Sequence, residues 1–267
     1  MRPNTVKQRL KQGESIINGW LGIPSPLSAE VVGLAGFDAV TVDMQHGMIG
    51  FDAALPMLQA LSATPAIPLV RVPANQGPLI MSVLDAGAYG VICPMISTKE
   101  QAQAFVSACR YPPKGDRSFG PSRAFLYGGD DYYQHADETI LTLAMVETQQ
   151  GLDNVDDILA VDGLDGVFIG PNDLSLALGQ APSSEPTAEV VVQAIAHILS
   201  RAQVHGKIPG IFCSSGQAAA MRLAQGFKFV VPGNEMTHLK QAASHAFEQA
   251  KQKNAKPTDP ASGAGGY

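Results

Sequence analysis

Residues 141–179, from Leu141 to Gly179, read LTLAMVETQQGLDNVDDILAVDGLDGVFIGPNDLSLALG. Two apolar runs, Leu141–Val146 and Gly166–Ile169, each stop at polar residues: Glu147 after the first, Asn172 and Asp173 after the second. Between them Leu152, Val155, Ile158 and Leu159 recur at helical spacing, with acids near the start of the run. The stretch predicts strand, helix over Leu152–Val161, and strand, joined as a parallel crossover. Both acids then stand just past the C-terminal ends of adjacent parallel strands, the rim where barrels of this kind carry their chemistry. Two carboxylates on one rim repel unless a proton or a cation intervenes. A hard divalent ion held by two carboxylates and otherwise by water and substrate oxygens suits such a pair. The bland alternative makes Glu147 and Asp173 ordinary strand-end residues.

The alternation extends in both directions. Val6–Leu10 predicts a short N-terminal helix and Ser15–Leu21 the first strand. Ser28 is placed to cap a helix through Leu34, with Glu30 in its first turn. Strands follow at Phe37–Asp43, Ile67–Val72 and Gly90–Met95, with helices at Phe51–Ala63, Pro78–Ala86 and Thr98–Ala108. Tyr111–Gly129 breaks the pattern. It is rich in Pro, Gly and Arg, has no period, and is expected to be a functional or disordered loop. Beyond Gly179 come a helix within Thr187–His205, a strand at Ile208–Cys213, a helix at Ser215–Gln225, a strand at Phe227–Val231 and a helix from Asn234 to about Lys251. Eight strands, each followed by a helix, predict an α/β (β/α)8 TIM barrel. The barrel is expected to occupy residues 1–254 as one domain, with 255–267 a disordered Pro/Gly/Ser-rich tail.

Composition narrows the function classes. The chain of 267 residues is 45% hydrophobic and 16% charged, as a compact enzyme would be. A net charge of −6 without a long basic run argues against nucleic acid or an anionic membrane as partner. No apolar run reaches the ~18 residues of a membrane span, and the N-terminus lacks the apolar core of a signal peptide. Cys93, Cys109 and Cys213, odd in number and scattered, read as reduced core thiols of a cytoplasmic protein.

Collected on one rim, the strand ends carry Asp43 and His46, Arg71, Glu147, and Asn172 with Asp173. Singly, His46 reads as a structural histidine and Arg71 as a partner that braces Asp43. Together they are more than packing needs. A base, a fixed cation and a metal pair are the equipment for enolate chemistry: the metal and Arg71 stabilise a developing enolate oxygen while His46 moves protons.

The segments FDAVTVDMQHG (37–47), PLVRVP (68–73), GAYGVICPMI (87–96), YPPKGDRSFG (111–120), AMVETQQGLDNVDDI (144–158) and GVFIGPNDLSLALG (166–179) carry, in order and spacing, a resemblance to the class II pyruvate aldolases, the HpcH/HpaI family. That family includes 2,4-dihydroxyhept-2-ene-1,7-dioate and 2-keto-3-deoxy-sugar-acid aldolases, and the resemblance runs from about Gly13 to Phe247. It implies reversible aldol addition of a pyruvate or hydroxypyruvate enolate to an aldehyde, giving 4-hydroxy-2-keto acids, with Mg²⁺, Mn²⁺ or Co²⁺. Glu147 and Asp173 become the metal ligands, Arg71 the contact to the keto oxygen, and His46 paired with Asp43 the acid/base. The amides of Asn172 and Asp173 hold the carboxylate in a turn shaped by Gly170 and Pro171. Asp85, in the DAGA segment, corresponds to an acid that approaches the histidine of a neighbouring site. The resemblance further implies a homohexamer, a trimer of dimers, whose last helix packs on a neighbour. The stripe of Leu239, Ala242, Ala246 and Ala250 is thin for a core helix and suits that contact.

Two positions depart from the family pattern: Gln45 stands where Glu is common, and Met145 where some members carry Gln. Other readings use the same barrel. A macrophomate-synthase-like enzyme decarboxylates oxaloacetate to the same enolate, a citrate-lyase-like enzyme cleaves an acyl-CoA, and a binding protein turns nothing over. A Schiff-base aldolase needs a rim lysine, for which Lys114, Lys207 and Lys228 are the nearest and none is well placed. For the acceptor aldehyde, Arg117, Arg123 and Tyr127 of the long loop are candidates, Arg123 foremost, if the loop reaches the same rim. Alternatively, both arginines brace a neighbouring subunit.

Overall fold

Short strands rich in β-branched residues alternate with helices that bury one face, and the alternation closes on itself. The computed structural model describes residues 1–252. Its strands β1 (Ile16–Leu21), β2 (Ala39–Asp43), β3 (Ile67–Arg71), β4 (Gly90–Cys93), β5 (Leu141–Met145), β6 (Gly166–Ile169), β7 (Ile208–Cys213) and β8 (Phe229–Pro232) form a closed barrel in chain order. Every neighbouring pair is parallel, including β8 with β1. All eight expected strands are present, and the α/β TIM barrel stands. The tail expected at 255–267 lies outside the described residues.

The helices are α1 (Thr5–Lys11), α2 (Pro26–Gly33), α3 (Phe51–Leu61), α4 (Gly77–Asp85), α5 (Lys99–Ala108), α6 (Ser122–Gly128), α7 (Tyr132–Thr139), α8 (Gln149–Asp153), α9 (Val155–Leu159), α10 (Pro171–Ala177), α11 (Glu189–Val204), α12 (Gly216–Gln225) and α13 (Glu235–Gln252). α1 closes the N-terminal end of the barrel. Its Lys7 is buried and donates to Asp165 and to the Ile140 carbonyl, both at 2.8 Å. None of the described helices is long and apolar enough to cross a membrane.

Four local expectations change. α2 is capped by Ser25, whose hydroxyl accepts from the Ser28 amide, because Pro26 already occupies the first turn; Glu30 therefore falls past that turn. The single crossover helix between β5 and β6 is two, α8 and α9, split at Asn154, whose carboxamide reaches out to the Ser97 carbonyl at 2.9 Å. The residues after β6 wind into α10 instead of remaining a turn.

The fourth change is the largest. Tyr111–Gly129 contains α6, and α7 follows it where no helix is expected. Order here comes from tertiary contact. The Arg117 side chain is wholly buried, lies 4.6 Å over the Tyr111 ring, donates to Tyr132 at 3.0 Å and pairs with Asp85 at 2.7 Å. Phe119, Phe125 and Tyr133 pack around this pair. Periodicity within the segment does not register an arginine as a core residue.

Candidate active site

The C-terminal ends of the strands surround one mouth, lined by residues of β1, β2, β3, β5, β6, β7 and the start of α13. Cross-strand register sets its centre, because Asp43, last in β2, stands directly opposite Arg71, last in β3. Arg71 donates Nε to Asp43 Oδ1 at 2.8 Å and Nη2 to Oδ2 at 2.5 Å. The same carboxylate accepts from the Trp20 indole at 3.2 Å and from the amides of Gln45 and His46 at 3.0 and 3.2 Å. Burial alone would raise the Asp43 carboxyl. The hydrogen bond and charge of Arg71, helped by the His46 amide and Trp20, outweigh it and hold the group below the usual carboxylate range. The Arg71 guanidinium in turn lies 4.9 Å over the Trp20 ring.

Glu147 is 2% exposed just past the end of β5. Its Oε1 accepts the Met95 amide at 2.9 Å, from a non-glycine residue held at φ 58°, a left-handed conformation that such residues adopt at a cost. Its Oε2 faces Gly170, where any Cβ would run into the carboxylate oxygen, so only glycine allows the strand end to approach this closely. Burial pushes the Glu147 carboxyl up to about 7; the Met95 amide opposes this, the Asp173 carboxylate adds to it, and Arg71 opposes it. Asp173 is exposed in the first turn of α10, on the same mouth. Gly170, Pro171 and Asn172 line the mouth beside it.

The structure thus brings together Asp43, His46, Arg71, Glu147 and the 170–173 turn. It separates three things that sequence reading joins. The His46 imidazole is exposed and, among the described residues, makes no hydrogen bond; Asp43 meets His46 only through its backbone amide, because Arg71 and Trp20 take the carboxylate. Asp85, at the end of α4, pairs with Arg117 and is remote from the mouth of its own chain. Arg123, expected at the acceptor side, donates to the Ala86 carbonyl at the end of α4 and to Leu58 and Ser62 at the end of α3. Helices of this barrel run antiparallel to its strands, so their C-termini lie at the end opposite the mouth. Arg117 and Tyr127 belong to the same buried segment, and neither reaches the rim. The three lysines weighed for a Schiff base are also elsewhere: Lys207 and Lys228 precede their strands and bond carbonyls of Leu164 and Gly13, and Lys114 lies 4.0 Å from Asp137.

Sequence reading missed Trp20, Phe168, Phe212, Asn234 and Met236, which line the mouth. Trp20 stacks on Phe168 with centroids 5.7 Å apart. The available signal was an aromatic residue near the end of β1, β6 and β7, but a search for polar strand ends passes over apolar ones.

A family model described as HpcH/HpaI aldolase/citrate lyase matches residues 17–242. The chain belongs to this family. A hydroxypyruvate/pyruvate aldolase of Rhizorhabdus wittichii is 46% identical over 248 residues, covering 93% of this chain and 99% of the relative. A 5-keto-4-deoxy-D-glucarate aldolase of Shigella dysenteriae is 39% identical over 88% of this chain and 91% of its own length. Among solved structures, an HpcH/HpaI aldolase/citrate lyase family protein of Burkholderia cenocepacia superposes with a TM-score of 0.88 at 31% identity, over 93% of this chain and 99% of that one. This HpcH/HpaI family member is a carbon–carbon lyase acting on small molecules.

Proposed function

We propose that the chain catalyses reversible aldol addition between a pyruvate-type enolate, from pyruvate or hydroxypyruvate, and an aldehyde, using a divalent cation, Mg²⁺, Mn²⁺ or Co²⁺. The observation that carries the reading is Glu147: a buried carboxyl with one oxygen held by the Met95 amide, the other over Gly170, and Asp173 near enough to raise it. The cation that reaches Glu147, Arg71, is already paired with Asp43, and a hard cation would supply the counter-charge the two carboxylates still need. Among the described residues no group of three or more His, Cys, Asp or Glu side chains forms a closed ligand set. Two carboxylates completed by substrate oxygens fit a Mg²⁺-type site better than a structural zinc site. When bound, the ion supplies Lewis-acid stabilisation of negative charge on the donor's oxygens.

The chain's own residues supply the rest. The amides of Asn172 and Asp173, in the first turn of α10, have no intrahelical acceptor and are free to take the donor carboxylate, in the turn shaped by Gly170 and Pro171. Arg71 is held rigid by Asp43 below and Trp20 alongside, so its fixed charge meets the keto oxygen as it becomes an enolate, without reorganisation. The exposed His46 imidazole exchanges protons at the mouth. Asp85 bears on a His46 only if that histidine belongs to another copy, which fits a homohexamer built as a trimer of dimers. α13 supports such an assembly, since every residue from His238 to Lys251 is exposed, Leu239 and Phe247 included. The reading also takes the enzyme as cytoplasmic and residues 1–254 as one domain.

The test is a panel of aldehydes with pyruvate and with hydroxypyruvate, with and without EDTA. Turnover is lost in chelator and restored by added Mg²⁺, Mn²⁺ or Co²⁺, and borohydride traps no pyruvate adduct. Full turnover in excess chelator discards the metal-dependent reading.

A further inference from the structure

Asp43, His46, Arg71 and the 170–173 turn give the mouth one polar side; the other side is mainly apolar, with Asn234 its polar member. Trp20, Phe168, Phe212 and Met236 face it, and Met236 comes from neither a strand nor a βα loop end but from the first turn of α13. We propose that Met236 is a specificity-determining residue, the wall against which a neutral, apolar substituent of the aldehyde packs, and that Glu235 is the positioning residue that holds it there. This rests on the aldolase reading above.

Met236 is 44% exposed, yet its place is defined. A Cβ on Gly22, at the end of β1, would lie 2.9 Å from Met236 Cε, so the methionine tip is seated on the glycine. The neighbouring Glu235 is 5% exposed, an unusual place for a carboxylate that has no cationic partner among the described residues. Its two oxygens are taken by the neighbouring strand's end and the helix after it: Oε2 accepts the Gly22 amide at 2.7 Å, and Oε1 accepts the Ser28 hydroxyl at 2.5 Å. Asn234 caps the turn by accepting the Thr237 amide at 2.9 Å, and His238 lies 2.8 Å from the Pro232 carbonyl. From His238 onward α13 leaves the barrel surface and is exposed. The buried root of this helix therefore binds the end of β8 to the end of β1 and the start of α2, and presents Met236 inward.

The charge arrangement selects the substituent. Arg71 is the one cation lining the mouth among the described residues, and Asp43 engages it through both Nε and Nη2. An acidic substituent on the aldehyde finds no further cationic side chain lining the mouth among the described residues, while an alkyl chain finds a thioether and aromatic faces. Methionine, unbranched and polarisable, conforms to chains of different length.

The experiment measures kcat/KM with pyruvate as donor for glycolaldehyde, propanal, butanal and hexanal, in the full-length protein with Mg²⁺. In the wild type kcat/KM rises about two- to fourfold per added methylene, the scale of burying one CH₂ group. Met236→Ala lowers the hexanal-to-glycolaldehyde ratio about tenfold. Gly22→Ala pushes only the flexible tip of Met236 aside, so it lowers the ratio in the wild type and adds nothing in the Met236→Ala background, a non-additivity that a general disturbance of folding does not produce. Glu235→Ala lowers the ratio and Glu235→Gln, which retains an acceptor for the Gly22 amide, restores it; if Glu235→Ala does not fold, the Gly22 cycle decides. A Met236→Ala ratio within about twofold of wild type, or an equal Gly22→Ala effect in both backgrounds, overturns the proposal while leaving the aldolase reading intact. Failure of the wild type to exchange the methyl protons of pyruvate in deuterated buffer with Mg²⁺ overturns both.

Discussion

Two buried arginines at opposite ends of this barrel use the same parts for different ends. Arg71 pairs with Asp43 under Trp20, and Arg117 pairs with Asp85 between Tyr111 and Tyr132. Arg71 retains 8% exposure and opens onto a mouth; Arg117 retains 1% and opens onto nothing. An arginine–aspartate pair beside an aromatic ring is thus no mark of a site by itself. What distinguishes the first is its neighbours, a second carboxylate pushed up to about 7 and a helix start with free amides, on the face where strands end. Arg117 instead organises a segment that has few apolar residues of its own to fold around.

The comparison breaks most sharply at the carboxylates. Glu147→Ala and Asp173→Ala are each expected to lower turnover by a factor on the order of a thousand or more, on the scale of lost electrostatic stabilisation, with near-normal circular dichroism. No variant of Asp85 that folds should do so through its own chain's mouth. Turnover above a tenth of wild type in either carboxylate variant removes the metal pair from the mechanism.

Next come the arginines themselves. Arg117→Met strands Asp85 and empties the centre of the aromatic cluster, and is expected to cost about 3–5 kcal/mol in chemical denaturation, the scale for breaking a buried pair. Arg71→Lys keeps the charge but loses the two-point contact with Asp43. It is expected to lower kcat by roughly ten- to a thousandfold with a smaller loss of stability. If Arg71→Lys loses stability and not rate, the two arginines do the same job.

The third expectation is a pH dependence confined to the mouth. The folded-state pKa of Glu147 is raised from 4.5 to about 7. Below about 4.5 the carboxyl is protonated folded and unfolded, and costs nothing. As pH rises from there the unfolded chain ionises first, so the metal-free protein loses stability until about pH 7, above which the penalty is constant and on the order of 3 kcal/mol. Glu147→Gln in chelator should therefore be more stable than wild type at pH 8 and about equal near pH 4, and Mg²⁺ should stabilise the wild type alone. A Glu147→Gln difference that is flat with pH would deny that this carboxyl is strained.

The smallest effect concerns Arg123. Its hydrogen bonds are to the ends of α3 and α4, so Arg123→Ala is expected to cost about 1 kcal/mol of stability. It should leave the KM ratio of acidic to neutral aldehydes within about twofold. A selective rise for acidic aldehydes would return the residue to the acceptor side.

Most of the polar site was legible because its residues sit where apolar runs stop: Asp43 and Arg71 close their strands, Glu147 follows β5 within two residues, and Asp173 stands in the first turn of the helix after β6. The distance of Arg123 from its own chain's rim has a topological cause. The segment precedes β5, and nearness to β5 in the sequence does not imply nearness to that strand's chemical end. Residues between a helix and the next strand lie at the opposite end of the barrel. Trp20 and Met236 were illegible for another reason, since an apolar residue at a strand end or helix start looks like any other core residue until the cavity it faces is known.

By itself, then, the sequence determined the order of eight strands, the closed parallel barrel and the polar strand ends. Each follows from local periodicity and from where it stops, and parallel strands have few ways to close. Only the tertiary structure decided which partner Asp43 takes, that Glu147 is buried against Gly170, that Arg117 is core, and that the root of α13 is bound by Glu235 to Gly22 and Ser28. These depend on contacts between residues far apart in the chain, where burial and charge, not spacing, set the energy.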